Sequence, residues 1–288
     1  MTYILHLIII FDIFTILCLS LNILTGHLGL FSLSHALFYG IGAYTVSLLM
    51  LKLGWPFIIS LIFTVIVGGC FGFVLAKITS KARDADYILI TLAVQVIGYS
   101  ILINWTGLTN GPFGLSGIPR PVFGSNALTG SGLALFSTVL MGIIGLMLKM
   151  IQDSPFGRTL KAIRENELAA TSFGVDANAF IRKSTILAGA LAALAGSLYA
   201  IYATYIDPSS FSISESILFV LILVIGGSGN IKGPIIGALI VTLLPEALRF
   251  FNITANHAAE MRQVIFGMTI VLLMLLRPHG VAGAYRLE

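Results

Sequence analysis

The sequence predicts an all-α polytopic membrane protein, in which residues 1–288 form a single transmembrane domain of about nine helices, with eight to ten possible. Of the 288 residues, 57% are hydrophobic and only 10% are charged, and the mean hydropathy is +1.01. A soluble domain carries about 25% charged residues. The apolar residues stand in long successive runs, and each span needs ~20 of them. One polar run, at residues 154–176, interrupts the series.

Nine apolar runs define the predicted spans. In order, they are Tyr3–Leu24, Gly26–Lys52, Pro56–Lys77, Tyr87–Asn104, Leu133–Met150, Ile181–Tyr202, Phe211–Ile225, Ile235–Phe250 and Val264–Leu276. The second is interrupted by small and polar residues, and the seventh has about 15 residues, which as a helix hardly crosses ~30 Å of hydrocarbon. Because broken helices at membrane depth need protein or water around them, we expect these two spans to face away from lipid.

The basic residues determine the predicted orientation, because Lys and Arg are enriched in cytoplasmic loops. With nine spans and a cytoplasmic C-terminus, twelve of the sixteen basic residues fall inside. The others, which fall outside, are Lys52, Arg120, Arg249 and Arg262. The polar run is then cytoplasmic. The positive-inside bias also accounts for the net charge of +4, so no nucleic-acid partner is expected.

The polar run reads SPFGRTLKAIRENELAATSFGVD and predicts one short helix from about Pro155 to Phe173. Ser154 is an N-cap residue followed by proline at the first helical position. Gly174 suits a left-handed helix end. The expected apolar contacts are Leu160, Ile163 and Phe173. The alternative is a solvated loop that happens to be helical, since charge runs between spans are common.

This run resembles the cytoplasmic loop of ABC importer permeases of the branched-chain amino-acid, LivM, type. The family pattern is S-P-x-G-R-x-x-x-A-I-R-E-N-E-x-A-A-x-x-x-G, and Leu168 is the departure from the more general E-A-A-x-x-x-G form. In that family the loop is a coupling helix that docks on the ATPase. The resemblance assigns this role, over about residues 154–176, to Arg158, Lys161, Arg164, Glu165, Asn166, Glu167, Ala169, Ala170 and Gly174.

Three further stretches extend the resemblance over approximately residues 22–280. Asn22–Leu49 is similar to the family's N-L-x-x-G-x-x-G-x-x-S-L-x-H-A-x-F-x-G-I-G-A-Y, and Leu108–Pro119 and Ile225–Ala238 also resemble family signatures. His27 stands where the family usually has an aromatic residue such as tyrosine. The resemblance implies four kinds of contact in the bacterial cytoplasmic (inner) membrane: a second related permease, two ATPase subunits, an extracytoplasmic substrate-binding protein and lipid.

Several polar residues and glycines inside the spans are candidates for the transport pathway or the interface with the partner permease. A carboxylate at membrane depth, such as Asp12, is functional by default. The alternatives are that the first span starts later, or that Asp12 pairs with a partner subunit. His35 is more typical of a helix contact than of a ligand, and Gln95 favours an interhelical hydrogen bond. The full set is Asp12, Asn22, Ser34, His35, Gly40, Gly42 and Gln95.

The Gly- and Pro-rich segment Thr106–Gly132 falls on the outer side of the predicted topology. Its prolines favour an ordered, non-helical path over a flexible tether. Together with Tyr205–Ser212 it is expected to form part of the docking surface for the substrate-binding protein. The two candidate contacts are Arg120 and Asp207. The alternative is a rigid plug over the bundle.

The sequence lacks the P-loop motif G-x-x-x-x-G-K-[ST], so ATP is expected on partner subunits and this chain is expected to bind no cofactor. It also lacks H-E-x-x-H and G-x-S-x-G, and no Cys/His cluster indicates a metal site. We therefore expect a transport subunit rather than an enzyme.

The predicted function is that of a permease subunit for branched-chain or related hydrophobic amino acids, working by alternating access. The similar urea and short-chain amide ABC permeases are one alternative. A proton-coupled secondary transporter with Asp12 and His35 as proton sites is another, and a purely structural membrane subunit is a third. A secondary carrier has no need for a cytoplasmic docking helix, so the polar run favours the permease.

Overall fold

The computed structural model describes residues 2–123, 126–127, 130–249, 267–268 and 280–282. The principal helices in these residues are α1 (Thr2–Asn22), α2 (His35–Lys52), α3 (Phe57–Ile78), α4 (Asp84–Asn104), α5 (Thr106–Thr109), α6 (Ser131–Asp153), α7 (Pro155–Glu165), α8 (Glu167–Ser172), α9 (Ala177–Ala203), α10 (Ile213–Gly226) and α11 (Lys232–Arg249). Four two-residue strands are β1 (Leu115–Ser116), β2 (Val122–Phe123), β3 (Asn126–Ala127) and β4 (Tyr205–Ile206).

Within the described residues, five helical segments are long and apolar enough to cross a membrane. They are Tyr3–His27, Phe57–Ile78, Ala85–Asn104, Ser131–Asp153 and Ala177–Ala203. The helix Ile213–Gly226 is apolar but shorter, as the sequence predicted for the seventh span. The prediction of an all-α polytopic membrane protein is confirmed. Nearly all of the ninth predicted span, Val264–Leu276, and the C-terminal residues 283–288 lie outside the described residues.

Helix α9 is the centre of the described bundle and packs against α1, α2 and α3. Its Ala- and Gly-rich sequence allows neighbouring backbones to approach closely. A Cβ added at Gly42 of α2 would overlap the carbonyl group of Ala193, and one added at Gly72 of α3 would lie 2.6 Å from the carbonyl oxygen of Thr185. Glycines are therefore required on the helix faces that meet α9.

The predicted span Gly26–Lys52 is wrong at its N-terminal end. Helix α1 continues into a π-helical turn at Ile23–His27, residues 28–34 are irregular, and α2 begins only at His35. Gly29 has a φ of 74°, a left-handed conformation that glycine adopts without strain and that cannot continue a helix. The Leu33 N–H in the irregular segment donates to Thr91 Oγ1 at 3.2 Å. A protein side chain thus satisfies a backbone group that lipid could not.

The two ends of α9 define two opposite faces of the bundle, which we call the coupling face and the distal face. The coupling face carries residues 154–176 and also the loop before α4, because Arg83 bonds to Glu167 there. The distal face carries β1, which pairs antiparallel with β4 so that Leu115 stands opposite Ile206. The two charged loops therefore share one face, as the predicted topology requires. Which face is cytoplasmic stays a prediction.

The Gly- and Pro-rich segment on the distal face follows an ordered path where it is described. It begins with a short helix, Thr106–Thr109, so the prediction of a wholly non-helical path is wrong for its first turn. Asn110 then adopts a left-handed conformation, with φ of 62°, and its side-chain amide donates to the Gly114 carbonyl at 2.8 Å. Local hydrogen bonds of this kind favour a fixed loop over a regular element.

Candidate functional site

Residues 154–176 form two helices rather than the single predicted one. Ser154 caps α7 by accepting from the Gly157 N–H at 3.4 Å, and Gly174 has a φ of 83°, so both predicted ends are confirmed. The correction is at Asn166, which has φ −160° and ψ 99° and separates α7 from α8. Its side-chain oxygen accepts from the Ala169 N–H at 2.9 Å. Asparagine competes with the helical backbone in this way, which makes it a helix start rather than an interior residue.

A bidentate ion pair holds α8 against the bundle. Arg83 Nε lies 2.6 Å from one Glu167 carboxylate oxygen, and Nη2 lies 2.6 Å from the other. Arg83 Nη2 also donates to Asn178 Oδ1 at 3.0 Å, at the start of α9. The hydrogen bonds from Arg83 lower the pKa of Glu167 below its usual value. Glu167 therefore connects α8 to the loop that joins α3 and α4.

Arg164 connects α7 to the π-helical turn at the end of α1. Its guanidinium Nη1 donates to the Gly26 carbonyl oxygen. Its aliphatic stem lies over Gly29, where an added Cβ would be 3.2 Å from Arg164 Cγ. Arg164 and Glu167, both assigned to ATPase contact by the sequence, thus contact their own chain: Arg164 at the end of the first span and Glu167 at the loop between α3 and α4.

The opposite side of α7 and α8 is exposed. It carries the candidates Arg158, Glu165, Asn166 and Ala169, whereas Lys161 is half-buried and Ala170 is buried. Leu160 and Ile163 are 0% and 5% exposed and make their predicted apolar contacts within the chain, whereas Phe173 is 89% exposed, so its predicted contact stays a prediction. Leu168 is 80% exposed. The exposure of Leu168 and Phe173 could not be predicted from the sequence. The helical period that assigns residues to one face of a single helix does not continue across the break at Asn166.

The Gln95 side chain forms hydrogen bonds at the N-terminal ends of α2 and α10. Its Oε1 accepts from the Leu37 N–H of α2 at 2.8 Å, and its Nε2 donates to the Phe211 carbonyl just before α10 at 2.9 Å. The Ala36 N–H donates to Ser216 Oγ at 3.0 Å. Gln95 lies 11 residues into α4, which is about 16 Å along the helix, or half of the ~30 Å hydrocarbon thickness. The predicted interhelical hydrogen bond is confirmed, and the N-terminal ends of α2 and α10 meet at Gln95, about halfway along α4.

The other candidates on α2 pack inside their own chain. His35 is fully buried and meets Phe38 of the same helix edge-on, with ring centroids 6.1 Å apart, so this contact does not test the expected contact with another helix. Ser34 Oγ lies 3.0 Å from Ser32 Oγ. Gly40 is covered by the Phe211 side chain, and Gly42, as described above, by the Ala193 backbone. Their role in a pathway stays a prediction.

Asp12 is 1% exposed and lies in the middle of α1, inside the apolar segment Tyr3–His27. Its Oδ2 accepts from Ser137 Oγ at 2.6 Å and from Thr138 Oγ1 at 2.8 Å, both on α6. Through these two hydroxyl donors, Asp12 forms a hydrogen-bonded link between α1 and α6.

Asn22 makes a second link at the coupling face. Its Oδ1 accepts from the Gly229 N–H at 3.0 Å and its Nδ2 donates to the Asn230 carbonyl at 2.9 Å. Gln152 Nε2, at the end of α6, donates to the Gly229 carbonyl at 3.3 Å. The loop between α10 and α11 is thereby attached to α1 and to the helix that leads into α7.

The two candidate contacts for the substrate-binding protein lie at the distal face and differ in their exposure. Arg120 is exposed. Asp207 is partly buried, and its Oδ1 accepts from Ser210 Oγ at 2.6 Å, so this carboxylate stabilises the turn before α10. Among the residues that the structure describes, no group of three or more His, Cys, Asp or Glu side chains forms a candidate metal site.

The helical bundle, the short apolar helix α10 and the polar segment on the coupling face are typical of a polytopic membrane transport subunit. The family model "Branched-chain amino acid transport system / permease component" matches residues 3–274, and the chain belongs to this family. The predicted family is therefore confirmed, and with it the role of the chain as a permease component.

Individual relatives agree with the family match. The chain is 30% identical to the high-affinity branched-chain amino acid transport system permease proteins LivM of Salmonella typhimurium and Escherichia coli, over 93% of this chain and 67% of each relative. It is also 23% identical to the permease protein LivH of Escherichia coli, over 96% of this chain and 92% of that relative. No solved structure matches the chain.

Proposed function

We propose that this chain is one of two related permease subunits of an ABC importer for branched-chain or related hydrophobic amino acids. The support is its similarity to relatives named LivM and LivH, which are permease proteins of branched-chain amino acid transport systems. In this proposal residues 1–288 form one domain of nine spans in the bacterial cytoplasmic membrane. The C-terminus and the coupling face are cytoplasmic, ATP binds to two separate ATPase subunits, and an external binding protein delivers substrate near Arg120.

The observation that carries the coupling mechanism is the two-sided character of α7 and α8. Leu168 and Phe173 are 80% and 89% exposed, and the exposed residues of the same segment include the polar Arg158, Glu165 and Asn166. Exposed apolar side chains rimmed by polar residues are typical of protein contact sites. We assign this side, with Arg158, Glu165 and Asn166, to the ATPase.

The other side of the segment transmits the movement. Arg164 bonds to the π-helical turn after α1, and Asn22 at the start of that turn bonds to the loop after α10. Displacement of α7 therefore acts on α1 and α10 together. Helix α10 in turn meets α2 at Gln95 near mid-membrane, where a change in the angle between the two helices would open or close a pathway.

The docking surface is tested with Phe173→Ser and with the matched control Phe173→Leu. Both remove the ring, but only serine removes the apolar contact. We expect Phe173→Ser to reduce co-purification of the ATPase from membranes at normal permease abundance, and Phe173→Leu to retain most of it. Equal recovery of the ATPase with the wild-type chain and with both variants would contradict the assignment of this surface.

Substrate identity is tested by uptake into proteoliposomes that contain the complete transporter. We expect labelled leucine to accumulate when ATP is enclosed on the ATPase side, and excess unlabelled isoleucine or valine to compete. Competition by urea or acetamide, with none by isoleucine, would instead favour the amide-permease alternative.

A further inference from the structure

Helices α2, α3 and α4 enclose an elongated apolar groove with a volume of about 500 Å³. Its walls are almost entirely aliphatic and aromatic. The side chains that define it best are Leu37, Tyr44, Phe71, Val94, Ile97 and Trp105. The volume falls within the range of about 300–1,000 Å³ that is typical of binding sites for small molecules. The groove is therefore large enough for a ligand and not merely a packing defect.

The groove opens sideways, toward the surroundings of the bundle. Phe71 on α3 and Ile97 on α4 form its rims and are 48% and 60% exposed. Both helices are long and apolar enough to cross a membrane. The opening therefore faces the hydrocarbon of the bilayer, where the available apolar ligand is a lipid acyl chain.

One end of the groove has the features of a headgroup site. Trp105, which is 56% exposed, lines this end near the distal face, and tryptophan is enriched at membrane–water interfaces. The Lys52 ammonium donates to the carbonyl oxygen of Gly107, two residues after Trp105, at 3.3 Å. An ammonium has three donors and a full positive charge, which suits a lipid phosphate.

The two ends of the groove favour a phospholipid over a helix of a partner permease. A basic side chain and an interfacial tryptophan stand at one end and an apolar channel continues from them, which matches a phosphate above an acyl chain. An acyl chain is a single file of methylene groups and can lie between α3 and α4 without separating them further.

We propose that this groove binds one acyl chain of a phospholipid, with the phosphate at Lys52 and the glycerol region beside Trp105. The acyl chain comes from a hydrocarbon environment, so binding depends on van der Waals packing in the groove, and the ammonium–phosphate contact fixes the direction of the chain. The headgroup end of the site lies near the distal face, the groove extends along α3 to Ile78, and its lining does not include residues of α7 or α8.

The chain offers a direct test because it has two tryptophans, Trp55 and Trp105. Trp55 packs against Phe63, outside the groove. The full-length chain with Trp55→Phe reports on the groove, and the chain with Trp105→Phe is the matched control. Each is purified in detergent and titrated with a phospholipid that carries bromine on its acyl chains, which quenches nearby tryptophan fluorescence. We expect saturable quenching of Trp105 and only weak, linear quenching of Trp55.

A second pair of variants, made with Trp55→Phe, tests the groove itself. Val94→Phe fills the groove, whereas Val96→Phe lies on the same helix outside the lining and is 49% exposed. We expect Val94→Phe to weaken the saturable quenching at least tenfold and Val96→Phe to leave it unchanged. Identical quenching of the two tryptophans would overturn the proposal. Identical quenching of Trp105 in the two valine variants, both as monodisperse protein, would also overturn it. If a co-purified partner permease protected Trp105 from quenching by the brominated phospholipid, the proposal would also be overturned, because the groove would then be occupied by protein.

Discussion

Replacement of Glu167 by glutamine should weaken the docking of α8, in the coupling segment at residues 154–176, by a measurable amount. The Arg83 and Glu167 side chains are 28% and 32% exposed, so their pair is half-buried and bidentate. Exposed pairs contribute about 0.2–1 kcal/mol, and hydrogen bonds to charged groups about 1.5–3 kcal/mol. We therefore expect a loss of about 1–2 kcal/mol in the docking of α8, which is a factor of roughly 5–30 in its opening equilibrium.

Amide hydrogen exchange of residues 155–173 in lipid nanodiscs measures this opening directly. Glu167→Gln should accelerate exchange there by about 5–30-fold, whereas Glu165→Gln, on an exposed residue of the same segment, should have little effect. The exchanged pair Arg83→Glu with Glu167→Arg should restore part of the protection. Unchanged exchange in Glu167→Gln would refute the reasoning.

The pH dependence of this contact follows from the lowered pKa of Glu167. A carboxyl group whose pKa is lower in the folded chain stabilises the contact fully above its unfolded pKa, which is near 4.3. The stabilisation is lost as the pH falls through the lowered value. Below about pH 4.3, wild-type exchange at residues 155–173 should therefore approach that of Glu167→Gln, with both rates corrected for the intrinsic pH dependence of exchange.

Three further predictions concern the membrane-embedded contacts, each measured as thermal stability of the purified chain in detergent. Gly42→Val should lower stability by several kcal/mol because its side chain would overlap Ala193, whereas Gly145→Ala, at an open helical glycine of α6, should be neutral or slightly stabilising. Gln95→Leu should cost about 1–3 kcal/mol, since the buried Phe211 carbonyl loses its side-chain donor and the Leu37 N–H keeps only the Ser34 carbonyl. Asp12→Asn should be tolerated better than Asp12→Leu, because the amide oxygen can still accept from α6; equal losses would contradict this role.

The sequence predicted the location of the coupling segment because a polar run of this length stands out in an apolar chain. Ser154 and Gly174 act as helix ends in the structure, since caps are local interactions. The break at Asn166 was missed because an asparagine can occupy a helix interior, and its capping hydrogen bond to Ala169 appears only once the backbone turns.

Long-range pairing was the part that sequence reasoning could not supply. Arg164 and Glu167 match a family motif, but the motif does not indicate which side of the helix they occupy. Their partners, Gly26 and Arg83, are more than 80 residues away in the chain. Likewise Gln95 was correctly predicted to bond between helices, but the meeting of α2 and α10 at that residue depends on the irregular segment before His35.

The central claim is that this chain transmits ATPase movement into amino-acid transport through Arg164. The most direct measurement compares leucine uptake and ATP hydrolysis, in the same proteoliposomes, for the complete transporter with wild-type chain and with Arg164→Ala. Because Arg164 contacts Gly26 rather than the exposed side of α7, we expect hydrolysis to continue while uptake falls at least tenfold. Retention of ATP-driven uptake by Arg164→Ala, or leucine uptake driven by a proton gradient without the ATPase subunits, would contradict the account.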